Sequence, residues 1–447
     1  QALLAALNAL KAAGRTVKTI FRDLAVQQSF YNFKGQVWKE VDPDGVARLF
    51  TNNLRGELEY VCIDSNRNDT IDFAGQDRIT QTVTDVVSAD GTNVVRTRAY
   101  VWETDGNSSG TLFSTVERSV EGLKTWQEIG GVSSSSIRTL SAFQIYTNTQ
   151  IAPDGSSTVT VYQQGQLLSV TQKDSLNSQI GKTTFGYDAH GRRNTVTDAR
   201  NGTITFTFND ADQVLSSTTP HPETVGGSPQ TTTSFYDSMG RATNVVQADG
   251  TSVGSVFSAR GELLKTSGTR TYPVGYSYDS QGRLKFMTNW SGFSAGSGSR
   301  VTAWHYHAYR GWLTNKVYND GNGTKYAYTA AGRLENRLWA RGTNTAYAHN
   351  YFGDLSGISY NDGATPTVAY TYDRRGRQKT SSKGTDSWKF FYTANNQLVS
   401  EAGTAGTLNG LRVTNSFDEF LRRTNVATAD GATERTRNGY SYDLAGR

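Results

Sequence analysis

A six-residue motif recurs along the chain from residue 187 onward: tyrosine, aspartate, two variable residues, glycine and arginine. The clear copies are Tyr187, Asp188, Gly191 and Arg192; Tyr236, Asp237, Gly240 and Arg241; Tyr278, Asp279, Gly282 and Arg283; Tyr372, Asp373, Gly376 and Arg377; and Tyr442, Asp443, Gly446 and Arg447. Degenerate copies begin at Tyr31, Phe208, Phe257, His307, Tyr328, His349, Tyr392 and Phe417. From Tyr187 onward, five of the spacings between successive copies are 21 residues. Such a tandem array restricts the chain to folds in which each repeat packs on its neighbours.

Each part of the motif has a structural explanation. The aromatic residue ends one strand and packs on the sheet, and the aspartate accepts hydrogen bonds from turn amides. Glycine adopts a backbone conformation that is costly for other residues, and arginine opens the return strand. Between copies, runs such as residues 203–208 alternate apolar and polar side chains, and Asp-Gly or Asn-Gly turns follow. The sequence therefore predicts an all-β fold in which each repeat is two strands and two turns.

Composition excludes several classes of protein. The chain has 447 residues, a net charge of +5, 19% charged residues and 11% aromatic residues, which is unlike a disordered protein. The basic residues are spread out rather than clustered, so we expect no nucleic-acid partner. The single cysteine, Cys62, rules out an intrachain disulfide or a multi-cysteine zinc site. No apolar run approaches the roughly 18 residues that a membrane span needs.

We divide the chain by the regularity of its pattern. Residues 1–30 are predicted to be mixed or helical, with Leu3, Leu7 and Leu10 on one helix face and Gly14 as a stop. Residues 31–186 form a divergent β-repeat region, and residues 187–447 form the regular repeat region. Because the sequence stops inside a motif copy, we expect a mature form or a fragment, and we favour the fragment.

The array of Tyr-Asp-x-x-Gly-Arg motifs at about 21 residues resembles the YD repeats of the RHS-repeat family. The resemblance covers residues 187–447 well, and residues 31–58 look like two more copies; residues 75–186 depart from the pattern. It implies a long, curved or spiralling antiparallel sheet of hairpins that forms a hollow shell or part of one. Bacterial RHS and Tc toxin shells enclose a C-terminal toxin polypeptide, and animal teneurins carry similar repeats. Nothing here matches the family's self-cleaving aspartates, so no catalytic residue is carried over.

The resemblance implies a function without catalysis. We expect a structural shell segment of a large secreted or cell-surface bacterial protein. Its partners would be an enclosed C-terminal effector polypeptide, or neighbouring copies or segments of the same long protein. The alternative is a surface adhesion or carbohydrate-binding protein, in which glycans are the partners.

One run of polar residues contains candidate calcium ligands. Its candidate ligands are Asp64, Asn66, Asn68 and Asp72. Oxygen-bearing residues at positions 1, 3, 5, 7 and 9, with isoleucine at position 8, resemble an EF-hand loop. Two positions differ, because Asp69 replaces the usual glycine at position 6 and Gly75 replaces the bidentate carboxylate at position 12. The other interpretation is a polar hairpin loop that runs into a degenerate repeat.

Three further groups of residues are better explained by structural roles than by metal binding, catalysis or sugar binding. His305 and His307 would share a strand face as metal ligands do, but His307 occupies the repeat's aromatic position. Ser294 lies in a Gly-x-Ser-x-Gly match, yet a Gly/Ser loop between strands explains it better than a nucleophile elbow. Sugar-stacking residues or core residues are the alternatives for Trp290, Trp304, Trp312 and Trp339.

Overall fold

The computed structural model describes residues 16–89, 91–141, 143–222 and 227–447. Its regular structure is β-strand, apart from two short 3-10 turns at Phe293–Ala295 and Gly406–Leu408. The strands of the first part are β1 Thr16–Ile20, β2 Val26–Tyr31, β3 Val37–Val41, β4 Ala47–Asn52, β5 Leu58–Asp64, β6 Arg78–Ala89, β7 Thr92–Val101, β8 Thr111–Ser119, β9 Lys124–Ile129, β10 Val132–Ser141, β11 Ile145–Ile151, β12 Ser157–Gln163 and β13 Gln166–Lys173.

The remaining strands continue the series without an α-helix between them in the described part of the chain. They are β14 Gln179–Tyr187, β15 Arg193–Asp198, β16 Gly202–Phe208, β17 Val214–Thr219, β18 Gln230–Tyr236, β19 Ala242–Val246, β20 Ser252–Phe257, β21 Leu263–Ser267, β22 Val274–Tyr278, β23 Leu284–Gly292, β24 Ser297–Tyr306, β25 Leu313–Val317, β26 Gly323–Tyr328, β27 Leu334–Leu338, β28 Asn344–His349, β29 Leu355–Tyr360, β30 Val368–Tyr372, β31 Gln378–Lys383, β32 Asp386–Tyr392, β33 Leu398–Ala405, β34 Leu411–Phe417, β35 Arg423–Asp430 and β36 Thr433–Gly439.

The strands belong to one 36-stranded antiparallel sheet in which successive strands pair. In β16, Ile204, Phe206 and Phe208 are partly buried while Thr205 and Thr207 are exposed, the alternation that one packed face requires. The register shifts at the motif tyrosine, for example at Tyr187 and Tyr236. A bulge there turns the chain sharply into the motif turn. The prediction of an all-β fold of tandem antiparallel hairpins is confirmed.

The first residues that the structure describes form β-strands. Within the segment predicted as mixed or helical, Thr16–Ile20 and Val26–Tyr31 form an antiparallel hairpin rather than a helix. The turn between them uses Leu24 in a left-handed conformation, with a φ of 67°. The helix predicted over Leu3 to Leu10 lies outside the described residues.

Contacts divide the chain into two compact units. Unit 1 contains residues 1–136 and 325–443, and unit 2 contains residues 137–324 and 444–447. Unit 1 therefore joins two stretches of sheet that are far apart in sequence. The predicted boundary between divergent and regular repeats at residue 187 stays a prediction about sequence regularity.

The best-packed hydrophobic cluster lies in unit 1. Leu49, Cys62, Ile79 and Trp102 are each at most 3% exposed, and Tyr60 and Phe73 pack on them. The centroids of the Phe73 and Trp102 rings are 5.6 Å apart. This cluster supports the loop between β5 and β6, which carries the candidate calcium ligands. No helix in the described residues is long and apolar enough to cross a membrane.

Candidate functional site

The motif aspartate and arginine close the turn that they share. In the copy at Tyr236, Asp237 Oδ1 accepts the backbone N–H groups of Met239 at 2.9 Å and Arg241 at 3.0 Å. Asp237 Oδ2 accepts the Arg241 Nε–H at 2.7 Å. Gly240 has a φ of 83° and donates its N–H to the Asp237 carbonyl. The aspartate thus satisfies the turn amides and fixes the arginine at once. The same pairs form between Asp188 and Arg192, Asp279 and Arg283, Asp373 and Arg377, and Asp418 and Arg422.

The same arginine also reaches the next repeat. The Arg192 guanidinium lies 4.8 Å from the centroid of the Phe208 ring, and its Nη1 donates to the Asn209 carbonyl at 3.1 Å. Phe208 and Asn209 occupy the tyrosine and aspartate positions of the following copy. A cation over an aromatic face and a charged hydrogen bond both stabilise this contact. Arg241 and Arg377 bind the next copy in the same way.

The hydroxyl group of the motif tyrosine forms a hydrogen bond with the preceding repeat, whereas the arginine contacts the following one. Tyr236 Oη donates to the Val214 carbonyl at 2.8 Å, and Val214 follows the arginine position of the preceding copy. The other hydroxyl donors and their carbonyl partners are Tyr187 with Leu167, Tyr278 with Leu263, Tyr372 with Leu355, and Tyr442 with Arg423. Gly191, Gly282, Gly376 and Gly446 have φ values of 79°, 77°, 83° and 73°. Asp443 lies between Tyr442 and Gly446, beyond the end of β36. The repeats at Tyr187, Tyr236 and Tyr372 are therefore joined to their neighbours through both the tyrosine and the arginine.

In one degenerate turn, the aspartate comes from a part of unit 1 that is distant in sequence. The copy at Tyr328 has Thr329 where the motif has aspartate. Asp44 takes that role: its Oδ1 accepts the Ala331 N–H at 3.0 Å, and its Oδ2 accepts the Thr329 hydroxyl at 2.6 Å and Arg333 Nη1. Asp42 accepts Arg333 Nη2 at 2.6 Å. A turn between β26 and β27 is thus completed by the turn between β3 and β4, about 290 residues away.

Arg374 holds the same two stretches of sheet together. It occupies a variable position of the motif at Tyr372, and it is 5% exposed. Its Nε donates to the Asp77 carbonyl at 2.8 Å, Nη1 to the carbonyls of Thr104 and Asn107, and Nη2 to those of Asp72 and Phe73. Five carbonyl oxygens thus surround a guanidinium that has five N–H donors. Burial lowers the pKa of Arg374, while the nearby carboxylates of Asp105 and Asp77 favour its charged form.

Neighbouring side chains extend these contacts. Arg375 Nη1 donates to Glu103 at 3.0 Å, and Arg78 Nη2 donates to Asp354 at 2.6 Å. The Asn395 side-chain amide donates to the Gly130 carbonyl at 2.8 Å. We call this set of contacts between residues 42–130 and residues 329–395 of unit 1 the seam. Its polar groups fasten the two stretches through their turns rather than through strand pairing.

A cleft of about 610 Å³ opens beside the seam. Its charged lining is Arg78, Glu103, Asp105, Asp373, Arg374, Arg377, Lys379 and Lys389. Arg78 is bound to Asp354 and Arg377 to Asp373, so several of these charges already serve the sheet. No three histidine, cysteine, aspartate or glutamate side chains in the described residues are placed to share a metal ion. The cleft therefore presents a polar surface that carries charges of both signs.

The loop between β5 and β6 gathers the predicted calcium residues. Asn66 and Asn68 both donate their side-chain amides to Asp72 Oδ2, at 2.6 and 3.0 Å. Asp64 begins the loop and is fully buried. Asp77, which no sequence pattern indicated, is also fully buried and accepts hydrogen bonds from Ser65, Asp72 and Cys62. The signal for Asp77 was weak, because it follows the loop outside any recognised spacing.

Cys62 is sealed in the cluster below this loop. It is 0% exposed, and its thiol lies 3.4 Å from Asp77 Oδ2. Burial, with the negative charge of Asp77, raises the pKa of the Cys62 thiol far above its usual value. A thiol that stays protonated is a poor nucleophile. Cys62 is accordingly a packing residue.

The other predicted side chains lie in structural settings. The aromatic position predicted for His307 is held by Tyr306, whose Oη donates to the Leu284 carbonyl as the motif tyrosines do. His307 takes the aspartate position, where its Nδ1 accepts the N–H groups of Tyr309 and Arg310, and His305 is exposed on β24. Ser294 lies in the 3-10 turn between two antiparallel strands, not between a strand and an α-helix. Trp290, Trp304, Trp312 and Trp339 are all partly buried, against Phe293, Lys316, His307 and Arg337 respectively.

The motif turns make the stability of the fold depend on pH. Hydrogen bonds from the Arg241 side chain and then from its backbone N–H hold the pKa of Asp237 below its ordinary value of 3.8. A carboxyl group whose pKa is lower in the folded state stabilises the fold above the unfolded pKa, and that stability is lost as pH falls through the folded value. We therefore expect the free energy of unfolding to fall as the pH drops below about 4. Urea denaturation across that range measures it.

A matched pair of variants isolates this effect. Asp237→Asn keeps an oxygen for the turn amides but loses the charge, so it should flatten the decline in unfolding free energy at acid pH. Asp210→Asn alters an exposed aspartate in a neighbouring turn and should leave the decline unchanged. Equal slopes for Asp237→Asn and the wild type would refute the assignment.

Comparisons with known proteins gave matches to solved structures alone. No family model matches the chain, and no curated protein matches it. The chain is similar to a crystal structure of TcdB2-TccC3, with 12% identity, 96% of this chain and 33% of that chain covered, and a TM-score of 0.32. It is 11% identical to TcdB2-TccC3-TEV, with 96% of this chain and 35% of that chain covered and a TM-score of 0.36. It is 10% identical to a chain of a Photorhabdus luminescens Tc holotoxin pore, with 94% of this chain and 34% of that chain covered and a TM-score of 0.32.

The chain thus spans about a third of the length of the structures it matches. At these TM-scores the fold assignment rests on the strand pairing and the repeat geometry themselves.

Proposed function

We propose that this chain is a structural wall segment of a large secreted or cell-surface bacterial protein of the RHS-repeat type. The wall would enclose or present a C-terminal effector polypeptide. The observation that carries the proposal is the seam, where Asp44, Arg333 and Arg374 fasten two distant stretches of repeat sheet. A wall that must hold a polypeptide needs such fastening, because a single row of hairpins is stabilised by its nearest neighbours alone.

The use of the motif side chains supports a role without catalysis. Asp237, Arg241 and Tyr236 have their polar atoms engaged in turns and neighbouring repeats. Charged groups that already form hydrogen bonds within the sheet are poorly placed to transfer protons to a substrate or to attack it. Containment requires a stable surface, which is what these contacts provide.

We propose no second function. The alternative was glycan binding through exposed aromatic residues. The four clustered tryptophans are partly buried instead, and the Trp339 ring packs against the Arg337 guanidinium at 3.5 Å. The Arg337 guanidinium thus covers one face of the Trp339 ring, a surface on which a sugar could otherwise stack.

Denaturing mass spectrometry of the natively purified parent protein tests the proposal. We expect a tightly associated polypeptide, with a C-terminal sequence unrelated to the repeats, to copurify with the repeat chain and separate on denaturation. An intact chain without an associated or cleaved polypeptide would contradict enclosure. Glycan binding by that intact chain would favour the adhesion alternative.

A further inference from the structure

We propose that residues 64–72 form a calcium site, and that the bound ion stiffens the backbone that Arg374 grips. Asp64 is fully buried. Its Oδ2 accepts the backbone N–H of Asp69 at 2.9 Å, so the carboxylate is turned into the loop. Its Oδ1 is buried and has no hydrogen-bond partner among the described residues. A buried carboxylate oxygen without a partner is costly, and a cation supplies the missing interaction.

The remaining ligands converge on the same loop. The side-chain amides of Asn66 and Asn68 both point at Asp72 Oδ2, at 2.6 and 3.0 Å. Asn66 Oδ1 and Asn68 Oδ1 accept the N–H groups of Asn68 and Thr70, and an amide oxygen has a second lone pair. Each oxygen can therefore also bind an ion held beside the Asp72 carboxylate. Carboxylate and amide oxygens are the ligands that calcium takes in proteins.

The loop backbone is already folded tightly around this point. Arg67 and Asp69 have φ values of 57° and 63°. The N–H groups of Asn68 and Thr70 close onto the side chains two residues earlier. The Asp69 carboxylate pairs with Lys39 outside the set, so aspartate at position 6 adds no ligand.

The ligand set predicts weak binding. It holds two carboxylates, two amides and the position-7 carbonyl of Thr70, without the bidentate carboxylate of an EF-hand. Affinity in calcium loops follows the ligand charge and the rigidity of the site, and the weak end lies at a Kd of about 10⁻⁴–10⁻³ M. Magnesium demands a smaller and more regular octahedron, so it should bind less well.

The site connects to the seam through the loop backbone. The Asp72 and Phe73 carbonyls accept Arg374 Nη2 at 3.0 and 2.7 Å. An ion that holds the Asp72 side chain also restrains these carbonyls. Binding should therefore order the acceptors of Arg374, and the inference stands whether or not the wall encloses a polypeptide.

Calorimetric titration of CaCl2 into chelator-treated, dialysed protein tests the site. We expect saturable binding with a Kd of about 10⁻⁴–10⁻³ M and weaker binding of MgCl2. Hydrogen exchange at residues 64–77 should slow when calcium is added. Absence of saturable calcium binding through about 10 mM, well above that range, would overturn the proposal.

Variants within the loop separate ligands from bystanders. Asp64→Asn and Asp72→Asn should each weaken calcium binding by at least about tenfold, because each removes a charged ligand. Asp69→Asn is the matched control and should change the Kd by no more than about fivefold, the limit for an exposed charge. If Asp64→Asn fails to fold, Asp72→Asn and Asn66→Ala decide the question. Unchanged binding in both of those variants would overturn the assignment to this loop.

Discussion

Replacing Arg374 with methionine is expected to lower the free energy of unfolding by about 3–5 kcal/mol. Methionine keeps much of the aliphatic volume but removes five N–H donors. The Asp77 carbonyl would then lose its partner in a buried setting, and the carbonyls of Asp72, Phe73, Thr104 and Asn107 would lose theirs in partly buried ones. Buried acceptors without partners carry the desolvation penalty that makes such losses large. Urea denaturation followed by circular dichroism measures the change.

The control for this prediction is an exposed arginine. Arg435 is 60% exposed at its side chain and pairs with Asp430 on the last hairpin. Arg435→Met should change stability by no more than about 0.5 kcal/mol. A loss below about 1 kcal/mol for Arg374→Met, the scale of one ordinary hydrogen bond, would mean that the guanidinium is not gripping the loop.

Asp44→Ala is expected to cost about 2–3 kcal/mol, because it removes the partner of three donors at once. Thr329, Ala331 and Arg333 would lose the carboxylate that completes their turn. Asp42 would keep its contact with Arg333. Chemical denaturation gives the magnitude, and a change under about 0.5 kcal/mol would show that the borrowed aspartate contributes little.

A second substitution separates the turn from the seam. Thr329→Asp restores the motif sequence within the turn, so the turn can close on its own aspartate. In the Asp44→Ala background it should recover part of the lost stability. Alone, it should destabilise the protein, because a third carboxylate would join Asp42 and Asp44 around Arg333. Stabilisation by Thr329→Asp alone would contradict the role assigned to Asp44.

The sequence predicted the repeat and the local turn, because both depend on residues close together in the chain. Tyr236, Asp237, Gly240 and Arg241 recur in fixed order, and a periodic motif has a periodic structural cause. It did not predict that Tyr236 and Arg241 bind neighbouring repeats. Those contacts join residues about 20 apart, where spacing names no partner.

The seam was not predictable from the pattern, because it joins residues about 290 apart. Arg374 and Arg375 occupy motif positions that hold no arginine, lysine or carboxylate in the other clear copies, and that departure was the available sign. Thr329 in place of aspartate was another, since it left Arg333 without its usual local partner. For the calcium loop, the sequence identified the candidate ligands but not the buried, unpaired oxygen of Asp64.

Hydrogen exchange at the Ala331 amide, resolved to single residues, tests the seam most directly. That amide is bound by Asp44, 287 residues away in sequence. The His190 amide is the control, because it is bound by Asp188 of its own turn. We predict slow exchange at Ala331 in the wild type, fast exchange in Asp44→Ala, and no change at His190. Fast exchange at Ala331 in the wild type, or equal exchange in both proteins, would contradict the seam.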